Sequence, residues 1–312
     1  MASIQAPPTL PRQGAAAGMA MALLGAVAFS GKAIIVKLAY RHGVDAVTLI
    51  TLRMLFALPF FVAMSWWAGR HTPLHTPLAL TRRDWVGVAW LGLTGYYLAS
   101  FLDFAGLQYI SASLERLILY LNPTLVLLFG WLAFGRRIGR WQALGMAVSY
   151  SGVMLVFGLE VTLQGANVTL GALLVFLSAI SYALYLGYSG ELVQRLGSMR
   201  LVGLATSVAC VLCIAQFVVL RPLSALLSVA PAVLWLSLLN ATLCTVLPVL
   251  LVMMAIERIG ASLAAQFGMV GPMSTMAMGV CLLDEPFTPW LLSGTALVIA
   301  GVYFCSRART QS

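Results

Sequence analysis

Five ionisable side chains stand inside apolar stretches of this chain: Lys32, Arg53, Asp103, Glu115 and Arg116. A charge surrounded by hydrocarbon is costly, so such residues face a polar cavity or one another. Three cations and two anions can largely compensate. Tyr96, Ser100 and Asp103 are spaced i, i+4, i+7 and share a helix face, as do Glu115, Leu119 and Asn122, with Tyr120 beside that stripe. Ser178, Tyr182, Tyr185 and Ser189 form another polar face inside an apolar stretch. An ammonium is held by carboxylates and aromatic faces, and a carboxylate by Arg or Lys. The set therefore suits binding of a small mixed-charge molecule rather than bond-making chemistry.

Blander roles are open to the same residues. Lys32 and Arg116 can snorkel to the headgroups, and Arg53 can tie its helix to neighbouring carbonyls. Gln266 and Asn240 are weaker candidates, because a lone amide also serves to bond an adjacent helix. Tyrosines pack or form interfacial belts, although Tyr182 and Tyr185 lie too deep for a belt. No catalytic residue is assigned: His42, His71 and His75 fall in loops, away from any acid pair with metal spacing. Cys210 and Cys213 have CxxC spacing but no polar neighbours, and read as small packing residues. Neither metal, disulfide nor cofactor is expected. There is no Walker A pattern, so ATP is not the direct energy source.

The elements that must position these groups follow from composition. The 312 residues are 61% hydrophobic and 9% charged, with a mean hydropathy of +0.97. A soluble domain has about 25% charged residues, so a soluble enzyme is excluded. Apolar runs of about 20 residues, separated by short polar clusters, read as membrane helices. Ten are expected, over 15–37, 45–67, 85–107, 111–134, 140–158, 168–190, 201–220, 231–255, 260–282 and 287–306. Residues 1–14 read as a disordered cytoplasmic tail without signal-peptide character. Twelve Arg residues fall on the side of the N-terminus and only Lys37, Arg41 and Arg221 opposite. The positive-inside bias then places both termini in the cytoplasm, in a bacterial-type inner membrane. It also accounts for the basic pI without nucleic acid. Depth along the spans puts Lys32 about 26 Å from the cytoplasmic end and all five charges in the outer half, as an outer vestibule or gate.

The segment 110–153 lies on 259–302 at a constant offset, with eleven of 44 positions identical, among them Pro123/Pro272, Trp141/Trp290, Gly145/Gly294 and Gly152/Gly301. Shared apolar composition does not produce matched Pro, Trp and Gly. Two halves of five spans, 15–158 and 168–306, then insert with opposite orientation, which is a transporter architecture with the ligand site near the midplane. Pro123 and Pro272 are expected to kink their spans, as hinges or as packing features.

On Ala33-Ile34-Ile35-Val36-Lys37, Leu49-Ile50-Thr51-Leu52-Arg53 and the paired Ala112-Ser113…Pro123 and Ala261-Ser262…Pro272, the chain resembles the EamA-type drug/metabolite transporters over nearly its whole length. It departs from them at Arg136-Arg137, where many carry an acid, and at Glu115-Arg116, where small or apolar residues are usual. The resemblance implies two five-helix repeats and transport of a metabolite or toxic compound. Together with the mixed charges it leads to an expectation of secondary transport by alternating access, of an amino-acid-like substrate and in the export direction. The alternatives are organic-cation efflux, with Asp103 and Glu115 as the attracting acids, and, more distantly, a channel. Expected partners are a small-molecule substrate, a possible coupling proton, the lipid bilayer, and at most a second copy of the chain. Within the charged group Asp103 is expected to be the structural partner, and Glu115 the substrate or proton site.

Overall fold

In a computed structural model, which describes residues 12–71, 80–135, 138–164 and 167–309, the chain is a bundle of helices with no strand among those residues. Helices close their own backbone hydrogen bonds, which hydrocarbon cannot satisfy. The order is α1 (Arg12–Tyr40), α2 (Ala46–His71), α3 (Arg82–Leu91), α4 (Ala99–Gly106), α5 (Ala112–Leu119), α6 (Asn122–Phe134), α7 (Arg140–Gln164) and α8 (Asn167–Leu196). There follow α9 (Ser198–Leu220), the single turn α10 (Ser224–Leu227), α11 (Pro231–Ala241), α12 (Leu247–Gly268), α13 (Gly271–Leu283) and α14 (Pro289–Arg309). Wider π-helical stretches, Gly92–Leu98 and Thr242–Val246, join α3 to α4 and α11 to α12. Eight of the resulting helices are long and apolar enough to cross a membrane; Gly271–Leu283 and Pro289–Cys305 are shorter apolar helices.

Sequence signals mark the helix ends. Asp45 caps α2, its carboxylate accepting from the Val47 and Thr48 amides and from the Thr48 hydroxyl. Thr81 and Asp84 form a reciprocal capping box at α3. Helices α6 and α13 both end on a residue in the left-handed conformation, Gly135 at φ 63° and Asp284 at φ 60°. Glycine adopts that backbone freely, whereas Asp bears a modest steric cost there.

Three expectations are corrected. Helix α1 begins at Arg12, so residues 12–14 are helical rather than a tail, while 1–11 lie outside the described residues. Pro123 and Pro272 do not kink continuous helices. Each stands in the first turn of a new helix, after breaks at Tyr120–Leu121 and Met269–Val270, where a missing N–H leaves no bond unmade. The fifth span, expected to end at 158, runs on to Gln164, so Glu160 lies within α7 and is buried.

Small residues set the packing. In α7 and α14 a Cβ on Gly145 would stand 2.6 Å from the Gly301 carbonyl oxygen, and one on Gly152 would stand 2.6 Å from that of Gly294. Gly106 and Gly171 bring α4 against α8 in the same way, and Gly203 brings α9 against Phe61 and Ser65 of α2. Along α1, Gly18 meets Ile259, Gly25 meets Val252, and Gly31 meets the Cys244 thiol. The Ser30 hydroxyl also bonds the carbonyl of Gly271. Backbones at this separation gain dispersion contacts that larger side chains would block.

Gly152→Val inserts atoms against a backbone oxygen that has no room to move, and overpacking of this kind costs about 1–3 kcal/mol. Thermal unfolding in nanodiscs is expected to show a lowered midpoint for this variant. Gly158→Ala, whose added carbon meets nothing within 4 Å, is expected to leave it unchanged.

Candidate functional site

Lys32 is the centre of the charged group. It lies on α1 facing α4 and α5, and its ammonium donates to Asp103 Oδ2 at 2.5 Å while Glu115 Oε1 lies 3.1 Å from the same nitrogen. The second contact is an ion pair without hydrogen-bond alignment, and neither Glu115 oxygen has a hydrogen-bond partner among the described residues. Glu115 is fully buried, and Lys32 and Asp103 are 7% and 2% exposed. The snorkelling role for Lys32 is therefore overturned: its head turns inward. Asn240 donates to the Lys32 carbonyl at 3.4 Å, as its lone amide suggested.

Arg116 follows Glu115 by one position, about 100° around the helix, and turns to another wall. Its Nη2 donates to Ser30 Oγ at 3.2 Å, and its guanidinium lies 5.1 Å from the Phe29 ring and 5.8 Å from the Tyr120 ring. Phe29 also carries the Lys32 ammonium, at 5.7 Å. The Tyr120 hydroxyl donates to the Gly268 carbonyl. A Cβ on Gly271 would come within 2.8 Å of Arg116 Nη2 and 3.1 Å of the Tyr120 hydroxyl, so glycine there makes room for both. Arg53 does not reach carbonyls as expected. It donates to Ser100 Oγ at 3.0 Å and lies 4.7 Å from the Phe104 ring.

These groups enclose a cavity of about 290 Å³. Lys32, Tyr96, Asp103, Arg116, Tyr120 and Tyr182 line it, as do Arg53 and Ser100. Two further candidates, Glu115 and Tyr185, stand behind the wall rather than on it. Tyr185 supports the lining: its ring stacks on Tyr182 at 5.4 Å and its hydroxyl lies 3.2 Å from that of Tyr96. Gly95 permits this, since a Cβ there would overlap the Tyr185 ring. The side chain of Gln266 lies outside the described residues. Asn122, Phe29, Phe61 and Thr245 also line the cavity. Phe29 was the readable omission, one helical turn before Lys32.

Several polar atoms of the lining have no hydrogen-bond partner among the described residues: Arg53 Nε, Arg116 Nε, Asp103 Oδ1 and Asn122 Oδ1. Buried polar atoms are ordinarily paired, so this cluster of unmade bonds in residues that line one cavity is unusual. Two are guanidinium donors and two are acceptors. That distribution suits a molecule carrying both an anionic and a cationic group.

Beyond Lys32, one end of the bundle is tied across by polar contacts. Glu285, in the α13–α14 connection, accepts from the Ala112 amide at 2.7 Å and the Ser113 hydroxyl at 2.7 Å. Glu160 accepts from the Ser111 amide at 3.2 Å and from its hydroxyl. Two carboxylates thus meet the amide end of α5, where the helix dipole favours negative charge, and hold the helix that bears Glu115 and Arg116. Lys37 donates to the Ile110 carbonyl at 2.9 Å, and Arg41 to that of Leu283 at 2.9 Å. Among the described residues no group of three or more His, Cys, Asp or Glu could hold a metal ion.

The EamA-like transporter family model matches twice, over residues 16–158 and 169–307. The chain belongs to the EamA-like transporter family. Within it, the chain is 31% identical over 281 residues to the uncharacterized transporter YcbK of Bacillus subtilis (strain 168), covering 87% of this chain and 86% of that one. It is 29% identical over 230 residues to the uncharacterized transporter YyaM of the same organism, 72% of this chain and 74% of the other. A crystal structure covers 95% of this chain and 99% of its own, with a TM-score of 0.61 at 17% identity, a likeness of fold alone. This EamA-family protein is a multi-pass membrane protein, and its relatives indicate a transporter rather than an enzyme.

Lys32→Met leaves the buried Asp103 and Glu115 side chains without their shared ammonium, a loss that costs about 3–5 kcal/mol when burial is complete. Its unfolding midpoint in nanodiscs is expected to fall well below that of the double variant Lys32→Met/Asp103→Asn, in which one charge goes with its partner. Additive losses instead would separate the pair.

Proposed function

We propose that this EamA-family protein is a secondary transporter which moves a small zwitterionic, amino-acid-like metabolite by alternating access, in the direction of export from the cytoplasm. The observation that carries the substrate class is the mixed charge of the cavity's lining residues: Arg53 and Arg116 on one side of the charge balance, Asp103 on the other. A substrate carboxylate satisfies the guanidinium donors, and its ammonium meets Asp103 and the faces of Phe29, Tyr96 and Tyr182. The asymmetry favours a zwitterion over a simple cation, since two arginines in the lining repel a ligand that carries positive charge alone.

The proposed frame is ten spans in two inverted halves. The contacts support it. Gly145 lies 149 positions before Gly294, and Gly152 the same distance before Gly301, yet Gly145 meets Gly301 and Gly152 meets Gly294. Each contact becomes the other when the halves are exchanged, as a two-fold axis between α7 and α14 requires. The π-helical stretches, the breaks before Pro123 and Pro272, and the left-handed caps at Gly135 and Asp284 recur at that same offset. Ile259 packs on Gly18 and Gly271 bonds Ser30, twelve residues further along α1. The chain therefore reverses between them, which supports a ninth crossing there and a tenth through α14. With the basic residues inside, Lys37, Arg41 and Glu285 mark the outer end, where the ties on α5 lie.

Counterflow in proteoliposomes against a panel of amino acids, the matching decarboxylated amines and quaternary ammonium ions tests the substrate class. Saturable, exchange-stimulated flux of amino acids is expected, with Arg116→Gln raising KM at least tenfold for those and little for the amines. Preferred flux of quaternary ions, unaffected by Arg116→Gln, contradicts it. For topology, a reporter active only in the periplasm and fused after Ser312 is expected to be silent.

A further inference from the structure

We propose that Lys32 is a built-in stand-in for the substrate's ammonium, and that its hand-over from Asp103 to Glu115 releases a proton held by Glu115 when an amine arrives. The inference rests on the reading of the cavity as the substrate site. One ammonium stands between two buried carboxylates, hydrogen-bonded to Asp103 at 2.5 Å and paired without alignment to Glu115 at 3.1 Å. Among the described residues both Glu115 oxygens lack a hydrogen-bond partner, and the residue is wholly buried. Two carboxylates that share one site cannot both stay ionised at low dielectric. Asp103 lines the cavity and holds the aligned hydrogen bond to Lys32. On this proposal the proton therefore belongs to Glu115, behind the wall, whose contact with Lys32 is the unaligned one.

The other charged groups around the pair do not supply the missing cation. On α5 itself, Arg116 points to Ser30 and the Phe29 and Tyr120 rings. On α2, Arg53 is engaged with Ser100 and Phe104. Helix α8 turns Ser178 and Tyr182 towards the cavity, and α13 carries no Asp, Glu, Lys or Arg. Glu160 of α7 and Glu285 lie at the amide end of α5, on Ser111 to Ser113, and add only negative charge.

The exchange balances. Before binding, Asp103 is paired with the Lys32 ammonium and Glu115 is a neutral acid. An incoming R–NH3+ takes the Asp103 carboxylate, the Lys32 ammonium swings wholly to Glu115, and the Glu115 proton leaves to water on the side the cavity then faces. No bond other than that O–H is broken. Substrate and proton thereby compete for one negative charge, which couples export of an amine-bearing substrate to proton entry. The empty carrier keeps its charges paired and can reorient without substrate.

Asp103→Asn imitates the liganded state, because it neutralises Asp103 and leaves Lys32 to Glu115 alone. Infrared difference spectra between neutral and alkaline pH, taken on the full chain in nanodiscs, read the protonated carboxyl directly and require no substrate. A failure here is thus distinct from a failure of the transport panel. The wild type is expected to show one protonated-carboxyl band at neutral pH that Glu115→Gln removes. Asp103→Asn is expected to lose the same band although Glu115 is still present, and Glu160→Gln to retain it. Absence of the band in the wild type, its persistence in Glu115→Gln, or its persistence in Asp103→Asn overturns the proposal. Where Asp103→Asn yields no folded protein, the comparison of wild type with Glu115→Gln decides whether the proton is there.

Discussion

One ammonium serving two buried carboxylates is the constraint on which the rest of this structure turns. Lys32 lies on α1, Asp103 on α4 and Glu115 on α5, so a single side chain ties three helices at one depth. An uncompensated charge at that depth is far more costly than any one packing contact around it. The neighbouring features read as provisions for it. Asn240 holds the Lys32 backbone, Phe29 covers its head together with that of Arg116, and carboxylates at the amide end of α5 fix the helix that presents Glu115. The glycine seams between helices bring the backbones close enough for side chains of ordinary length to meet.

The same constraint joins structure to transport. A cavity lined only by apolar groups would bind without regard to charge, and one lined by a single sign would repel half of any zwitterion. Here Arg53, Arg116 and Asp103 all belong to the lining of one cavity of about 290 Å³, with aromatic rings between them. In the proposed mechanism, binding exchanges internal partners for substrate partners, at small net cost in unpaired charge. Such near-degeneracy is what a carrier requires, since a site that holds its ligand much more tightly in one state does not release it from the other.

Much of the frame was legible in the sequence because its signals are local or strictly periodic. Apolar run length located the helical, membrane-crossing regions though not their breaks, and matched Pro, Trp and Gly at a constant offset pointed to the two halves that the family model matches separately. The five charges stood out because nothing around them was polar. What could not be read was who meets whom. Lys32 and Asp103 are 71 positions apart, and spacing alone allowed Lys32 to snorkel, Arg53 to bond carbonyls and Glu115 to face the cavity. The fold decided otherwise in each case. The pairing of Glu285 with Ala112 and Ser113, 173 and 172 positions away, was equally hidden. Pro123 and Pro272 were found by sequence but misread as kinks, because the breaks just before them carry no composition signal.

If, as proposed, the Lys32 ion pairs hold together the end of the bundle that bears Lys37 and Glu285, breaking them must move that end. The direct test is the distance between spin labels at His42, on the α1–α2 turn, and Phe287, in the α13–α14 connection, measured by pulsed electron resonance in nanodiscs. The account predicts one short distance in the wild type, and a second, longer population in Lys32→Met that Lys32→Met/Asp103→Asn/Glu115→Gln reverses. An unchanged single distance in Lys32→Met contradicts it.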